Sequence, residues 1–295
     1  MEQDRQASDV VLYHQEGPVA VITMNRPRYR NAQNSQMTYA LDGAFYRAAQ
    51  DDDVRAVVLA GAGPSFSGGH DIGSPGRDHD RSFPRHSLWW DHTTTVGAES
   101  RLAREEEVYI GMCRRWRDLP KPTIAAVQGA CVGGGLMLAW SCDLIVAADD
   151  AWFADPVIDL GMPGVEFFAH PWELGVRRAK EFLFLGDPIA AAEAHRIGMV
   201  SRVVPQADLL AAAVALAGRI AEKPRLALAL TKKSVNLCAD QMGQRTGIDL
   251  AFGLHQLAHA HNAETTGDPI LGRRPSQLRR AAPAATEGVG ADDQR

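Results

Sequence analysis

The sequence predicts an α/β core followed by an all-helical C-terminal region. Three observations carry this reading. Short runs rich in Val, Ile and Ala alternate with segments of helical apolar period through the first two-thirds of the chain. The last third changes to Ala- and Leu-rich helical segments. Composition is that of an ordinary globular protein: 295 residues, 45% hydrophobic and 23% charged, enough for one large core or one domain with an appendage.

Each element follows in order. Residues 1–8 read as a loose polar tail. VVLYHQEGPVAVITMNRP reads as two strands around the turn Glu16-Gly17-Pro18, stopped at Pro27. SQMTYALDGAFYRAAQ has helical spacing, with Asn34 or Ser35 as N-cap. VRAVVLAG is a strand that enters the glycine- and serine-rich loop GAGPSFSGGHDI. A long irregular insert follows, about residues 73–96; loops of that size are functional lids or disordered inserts. AESRLAREEEVYIGMCRRWRDL is a helix. Strand PTIAAVQG, the triple glycine of CVGGGLM, helix LMLAWSC and strand DLIVAAD come next. PIAAAEAHRIGM, QADLLAAAVALAGRIAE, PRLALALTKKSVNLCADQM and GIDLAFGLHQLAHAHNAE all read as helices. The core thus spans 9–205, the helical region 206–265, and the polar stretch 266–295 reads as a disordered tail.

Charge and cysteine usage exclude several function classes. Net charge is −5 and the basic residues are scattered, so no nucleic-acid partner is expected; RRPSQLRR reads as solvated tail. Cys113, Cys131, Cys142 and Cys238 show no CxxC spacing and read as free thiols of a reducing compartment. MEQDRQASDV is acidic and polar, unlike a signal or transit peptide, and no apolar run reaches membrane-spanning length. A soluble cytoplasmic protein without a membrane partner is the expectation. His79, His86 and His92 share the insert with Asp78, Asp80 and Asp91, but without compact ligand spacing, so no metal site is expected.

Two glycine loops carry the chemistry. GACVGGG lacks the lysine and hydroxyl of a P-loop and the register of a dinucleotide fingerprint. PSFSGGHDI also follows a core strand and also supplies glycine N–H groups. Two such loops can aim one N–H each at a single oxygen, an oxyanion hole for a carbonyl that gains charge. The alternative is two tight turns at strand ends.

From about residue 10 to about 265 the chain resembles the crotonase, or enoyl-CoA hydratase/isomerase, superfamily. The resemblance rests on MNRPRYRNA, GAGPSFSGGHDI, KPTIAAVQGACVGGG, SCDLIVAADDAWFADPVIDLGMPG and AKEFLFLGDPIAAAEAHRIGMVSRVV, in that order. It implies a crotonase (ClpP-like) fold of repeated ββα units with a C-terminal helical region. It implies assembly as a homotrimer or hexamer, acyl-CoA thioester substrates, and no cofactor, since CoA is part of the substrate. By position the oxyanion donors are Gly68 and Gly134. Arg30, Ala32 and Phe66 are candidates for the adenine and pantetheine path, with Arg30 also a phosphate partner. Phe83, Trp89 and Trp90 of the insert are candidates for the acyl pocket.

The sequence departs from the hydratases at both catalytic glutamates: Met137 and Val157 stand in their places. Positioned acids and bases are worth ~10²–10⁴-fold each, so catalysis here would need another residue in that role. Glu166, just past MPGV, is the first choice of base, followed by Glu105, Glu106 and Glu107. His70 follows the first glycine segment directly. Asp155 and Asp159 flank Val157 and share its face if the segment is extended. The bland alternatives are caps and surface acids for Asp155, Asp159 and Glu166, a structural histidine for His70, and a solvated face for EEE. The expected activity is an enoyl-CoA hydratase/isomerase-type reaction through a thioester enolate. The alternatives are another crotonase reaction (hydrolysis, dehalogenation or C–C cleavage) and acyl-CoA binding without catalysis.

Overall fold

Period-two runs of small and β-branched residues build a sheet buried on both faces, as parallel sheets require. A computed structural model describes residues 10–84 and 89–271. The elements are β1 (Val11–Glu16), β2 (Val19–Met24), α1 (Ser35–Gln50), β3 (Ala56–Gly61), α2 (Gly97–Glu105), a π-helical turn (Glu106–Gly111) and α3 (Met112–Arg117). Then come β4 (Thr123–Val127), β5 (Ala130–Val132), α4 (Gly134–Trp140), β6 (Leu144–Ala148), β7 (Trp152–Ala154), α5 (His170–Leu174), α6 (Val176–Leu185), β8 (Ile189–Ala190) and α7 (Ala191–Arg196). β9 (Arg202–Val204), α8 (Leu209–Ala221), α9 (Arg225–Gln241) and α10 (Gln244–Thr266) complete the chain.

The main sheet has the order β1-β2-β3-β4-β6-β9. Only the β1–β2 hairpin is antiparallel; every later pair is parallel. One face buries Ala20, Ile22, Val57, Leu59, Ala125 and Val127 against Met37, Leu41 and Phe45 of α1. The other buries Val21, Val58, Ile124, Ala126 and Val146 against Leu209, Ala213 and Leu216 of α8. A smaller sheet, β5-β7-β8, stands beside it. Asn34 is the N-cap of α1, accepting from the Met37 N–H at 3.1 Å.

The structure corrects several expectations. Ile189 and Ala190 pair antiparallel with β7, so the segment predicted as one helix gives its first apolar residues to a sheet edge. Pro156–Leu160 is a 3-10 turn, not an extended segment, so Asp155, Val157 and Asp159 do not share one face by alternation. The predicted helix over residues 98–119 carries the π-helical turn, and Glu105 and Glu107 of EEE are buried rather than solvated. The C-terminal helix runs to Thr266, and the Pro269 carbonyl accepts from His259 Nδ1, so the segment after it is tied to the fold as far as Leu271. Residues 1–8, His86 and most of the predicted tail lie outside the described residues. Among the described residues, no helix is long and apolar enough to cross a membrane.

The two glycine loops are laced together. The Ser67 N–H donates to the Ala130 carbonyl at 3.0 Å, and the Val132 N–H donates to the Ser67 carbonyl at 3.0 Å. This approach needs glycine. A Cβ on Gly69, whose φ is +93°, would sit 2.8 Å from the Val132 oxygen, and one on Gly135 would sit 2.7 Å from the Ser67 oxygen. Behind the first loop, the buried Arg26 guanidinium donates to Asp71 Oδ2 at 2.9 Å. Burial works against the Asp71 charge, but hydrogen bonds from Ser74 and Arg26 hold its carboxyl below the usual range.

Candidate active site

The free amides of the two loops differ from the expected pair. The Gly68 N–H donates to the Arg30 carbonyl at 2.7 Å and is therefore committed. Arg30 and Asn31 both have φ of 52°, and that turn presents the Arg30 oxygen. The Gly69 N–H donates to Ser67 Oγ at 3.2 Å. The amides of His70, and of Gly134 at the start of α4, are among those with no acceptor among the described residues. The Gly134 nitrogen is 3.2 Å from where a Gly69 Cβ would be, so the two loops meet here. Of the two expected donors, the Gly134 amide is unengaged and the Gly68 amide is engaged; the His70 amide, two residues on, is unengaged.

The His70 ring dominates this corner. It stacks on Tyr109 with centroids 3.9 Å apart. Its Nε2 lies 2.9 Å from Glu166 Oε2, and its Nδ1 is buried with no partner. A carboxylate only accepts, so the Nε2 carries the proton and donates it, leaving Nδ1 with its lone pair. The ring packs on Gly134, where a Cβ would meet Nδ1 at 2.6 Å. Gly68, His70, Gly134, Val157, Asp159 and Leu160 border a cavity of about 220 Å³.

Glu166 is buried. Burial alone would raise its pKa, but His70 and His255 hold the carboxyl well below the usual range. His255 Nε2 is 3.4 Å from Glu166 Oε1. Burial would lower the His255 pKa, yet the facing Glu166 charge lifts it to about 9. Burial pushes the Tyr109 phenol up to about 12, so it stays protonated; its oxygen accepts from Arg104 Nη1 at 3.0 Å. The corner is thus a buried His–Glu pair beside two free amides. It can hold an oxyanion and move a proton next to it.

A family model described as enoyl-CoA hydratase/isomerase matches residues 14–95 and 90–267. The chain belongs to the enoyl-CoA hydratase/isomerase family. A Mycobacterium tuberculosis protein that carries the name enoyl-CoA hydratase EchA13 is 48% identical over 86% of this chain and 81% of its own length. A short-chain-enoyl-CoA hydratase of Clostridium acetobutylicum is 34% identical over 84% of this chain and 87% of its own. A crystal structure named as a probable enoyl-CoA hydratase from Mycobacterium smegmatis superposes with a TM-score of 0.81 at 40% identity, covering 90% of this chain and 99% of that one. The fold is therefore the crotonase fold that the sequence motifs imply.

In this family member the other sequence candidates fall into three groups. Val157 and Asp159 border the cavity with His70. Arg30 is exposed and touches Gly68 from the outside, while the Ala32 N–H and carbonyl are both bonded within the chain. Phe66, Met137 and Asp155 are buried away from the cavity. Phe66 is a core residue whose N–H and carbonyl are bonded to Gln128 and Asn31. Met137 packs in the same core. Asp155 accepts from the Val165 N–H at 3.0 Å and pairs with His170 at 2.9 Å, a structural role. Trp89 and Trp90 pack edge to face at 5.0 Å, Phe83 stacks on Tyr39, and none of the three borders the cavity.

Sequence reasoning missed His255, His259 and Tyr109. The two histidines stand at i and i+4 of α10, so HQLAH puts both on one helix face. That spacing was a usable signal. Its partners, Glu105 and Glu166, lie far away in sequence and are brought there only by the fold.

Proposed function

We propose that the chain processes acyl-CoA thioesters through an enolate held by the His70 and Gly134 amides, with His70 Nδ1 as the proton carrier and Glu166 as its orienting partner. The observation that supports this reading most is the His70 ring: one nitrogen tied to a buried carboxylate, the other unpartnered and packed on Gly134. The thioester oxygen would accept from both amides as charge develops on it. Nδ1 would take the α-proton and return it to another carbon of the enolate, which is isomerisation. Asp159 on the cavity wall supports a second reading, in which it holds the water that adds across the double bond, which is hydration. Exposed Arg30 is the candidate partner of a CoA phosphate. Exposed Leu226, Leu230, Leu250, Leu254 and Leu257 on α9 and α10 support assembly as a homotrimer or hexamer, checked by light scattering. Four free thiols support a reducing, cytoplasmic setting.

The test is a panel of short, long and aromatic enoyl-CoA esters followed by mass spectrometry. A gain of water, no mass change with a shifted double bond, or loss of a fragment separates hydration, isomerisation and the other crotonase reactions. His70→Ala and Glu166→Gln should each cut turnover ~10²–10⁴-fold while CoA-ester binding persists. Turnover that survives His70→Ala removes the proposed base. Binding without turnover of any ester leaves an acyl-CoA binding protein instead.

A further inference from the structure

Behind the His70–Glu166 pair lies a cluster that shares Glu166 with the proposed reaction and whose other three members take no part in it. Glu105, Glu166, His255 and His259 are each 4–6% exposed, and one ligand atom from each lies within 4.8 Å of every other. The four come from three separate parts of the chain: the end of α2, the loop before α5, and α10.

Each side chain is held from behind and aims one atom inward. His255 Nδ1 is 2.8 Å from the Gly164 carbonyl, and His259 Nδ1 is 2.6 Å from the Pro269 carbonyl. A carbonyl only accepts, so both Nδ1 atoms carry protons and both Nε2 atoms can offer lone pairs. Glu166 Oε2 is engaged by His70, and Glu105 Oε2 accepts from the Gln256 amide. That leaves Oε1 of each glutamate facing an imidazole: Glu166 to His255 at 3.4 Å, Glu105 to His259 at 3.1 Å. His259 Nε2 is buried and, despite that short distance, makes no hydrogen bond. With both imidazoles neutral, four acceptor atoms face one another, and a cation between them would take the place of the proton that His255 otherwise holds against Glu166. Outer partners that fix the far nitrogen of each histidine are the usual setting of metal-bound imidazole.

We infer that Glu105, Glu166, His255 and His259 form a binding site for a divalent first-row transition cation of the zinc class. Two carboxylates and two neutral imidazoles balance a dication without leaving buried charge. Imidazole nitrogens select against magnesium and calcium, and the absence of thiolates from the set selects against copper(I). Ligands ~2.0–2.2 Å from such an ion stand about 3.5 Å apart in a tetrahedron. The widest pair therefore draws in by roughly an ångström on loading, within the reach of side-chain rotation. The ion would hold Glu166 from the side opposite His70. The inference rests on the cluster itself and stands whether or not the proposed reaction does.

The test uses the full chain without an affinity tag, stripped with chelator and dialysed against zinc, with metal content read by mass spectrometry. The expected result is close to one zinc per chain. Cobalt in its place should give visible ligand-field absorption without a sulfur charge-transfer band, which excludes exposed Cys238 as the binder. Glu105→Gln and His259→Ala should each weaken zinc binding at least ~100-fold, since even outer partners are worth 10–100-fold. Wild-type protein that takes up no zinc overturns the inference without any variant. So does a cobalt spectrum with sulfur ligation, or unchanged zinc affinity in the isosteric Glu105→Gln variant. None of these readouts depends on turnover.

Discussion

Replacing Gly134 with alanine should disable the site while leaving the fold intact. Gly134 has no positive φ, and it opens a helix, where alanine is favoured over glycine by about 1 kcal/mol. The added methyl carbon would lie 2.5 Å from His70 Cε1 and 2.6 Å from Nδ1. That is roughly an ångström inside ordinary carbon contact. The ring has no slack to absorb it, because Tyr109 stacks on it at 3.9 Å and Glu166 holds Nε2 at 2.9 Å. Moving the ring by that much breaks the bond to Glu166. The alanine keeps its own N–H, so the loss falls on the proton carrier and not on the oxyanion donor. The expected drop in kcat/KM on the CoA ester found to turn over is ~10²–10⁴-fold, the range for a positioned acid–base group. A melting curve should show one cooperative transition, with stability lowered by the lost bond to buried Glu166, about 1.5–3 kcal/mol. The decisive measurement is a double-mutant cycle. In a His70→Ala background the methyl has room, so adding Gly134→Ala should cost little further. Wild-type kcat/KM in Gly134→Ala, or full additivity with His70→Ala, refutes the reasoning.

Other perturbations have equally definite outcomes. Gly129→Ala should destabilise by more than ~3 kcal/mol in denaturant melts, because its Cβ would lie 2.1 Å from the Pro64 carbonyl oxygen at φ +51°; an unchanged midpoint refutes this. Asp71→Ala leaves the buried Arg26 guanidinium without its carboxylate and should cost about 3–5 kcal/mol, read in the same assay. Burial lifts the Glu173 carboxyl from 4.5 to about 7, only partly offset by Arg117. The unfolded chain therefore ionises first, and this residue costs nothing below pH 4.5, a growing amount up to about pH 7, and a constant amount above it. In denaturant melts Glu173→Gln should match wild-type stability at pH 4 and exceed it at pH 8, by on the order of 1–3 kcal/mol given its partial exposure. A gap that does not change with pH contradicts that assignment.

The order of elements was legible because apolar period alone separates the buried strands from α1, α8 and α10. The two glycine loops were legible because glycine is needed where Gly69 and Gly135 pack against neighbouring backbone. The choice of amide was not. Which N–H remains free depends on the Arg30 carbonyl, which reaches Gly68 only through the left-handed turn at Arg30 and Asn31. Glu166 and His70 were each read as candidates from their places in the chain, yet their pairing spans 96 residues and has no local pattern. Of the two readings of EEE, the solvated face fails at Glu105 and Glu107 for a similar reason. A run of three acids looks solvated until α10 brings His259 and Gln256 against its first member.

The π-helical turn at Glu106–Gly111 has a consequence for how this corner could be altered. Such a turn amounts to an α-helix with one extra residue, and one residue is about 100° of helical rotation. Removing Glu106, Glu107 or Val108 would close the wide turn and change both the rise and the rotation between Glu105 and Tyr109. Glu105 would then swing away from His259 although every side chain of the cluster was still encoded. The position of this acid is written in the length of the segment as much as in its letters.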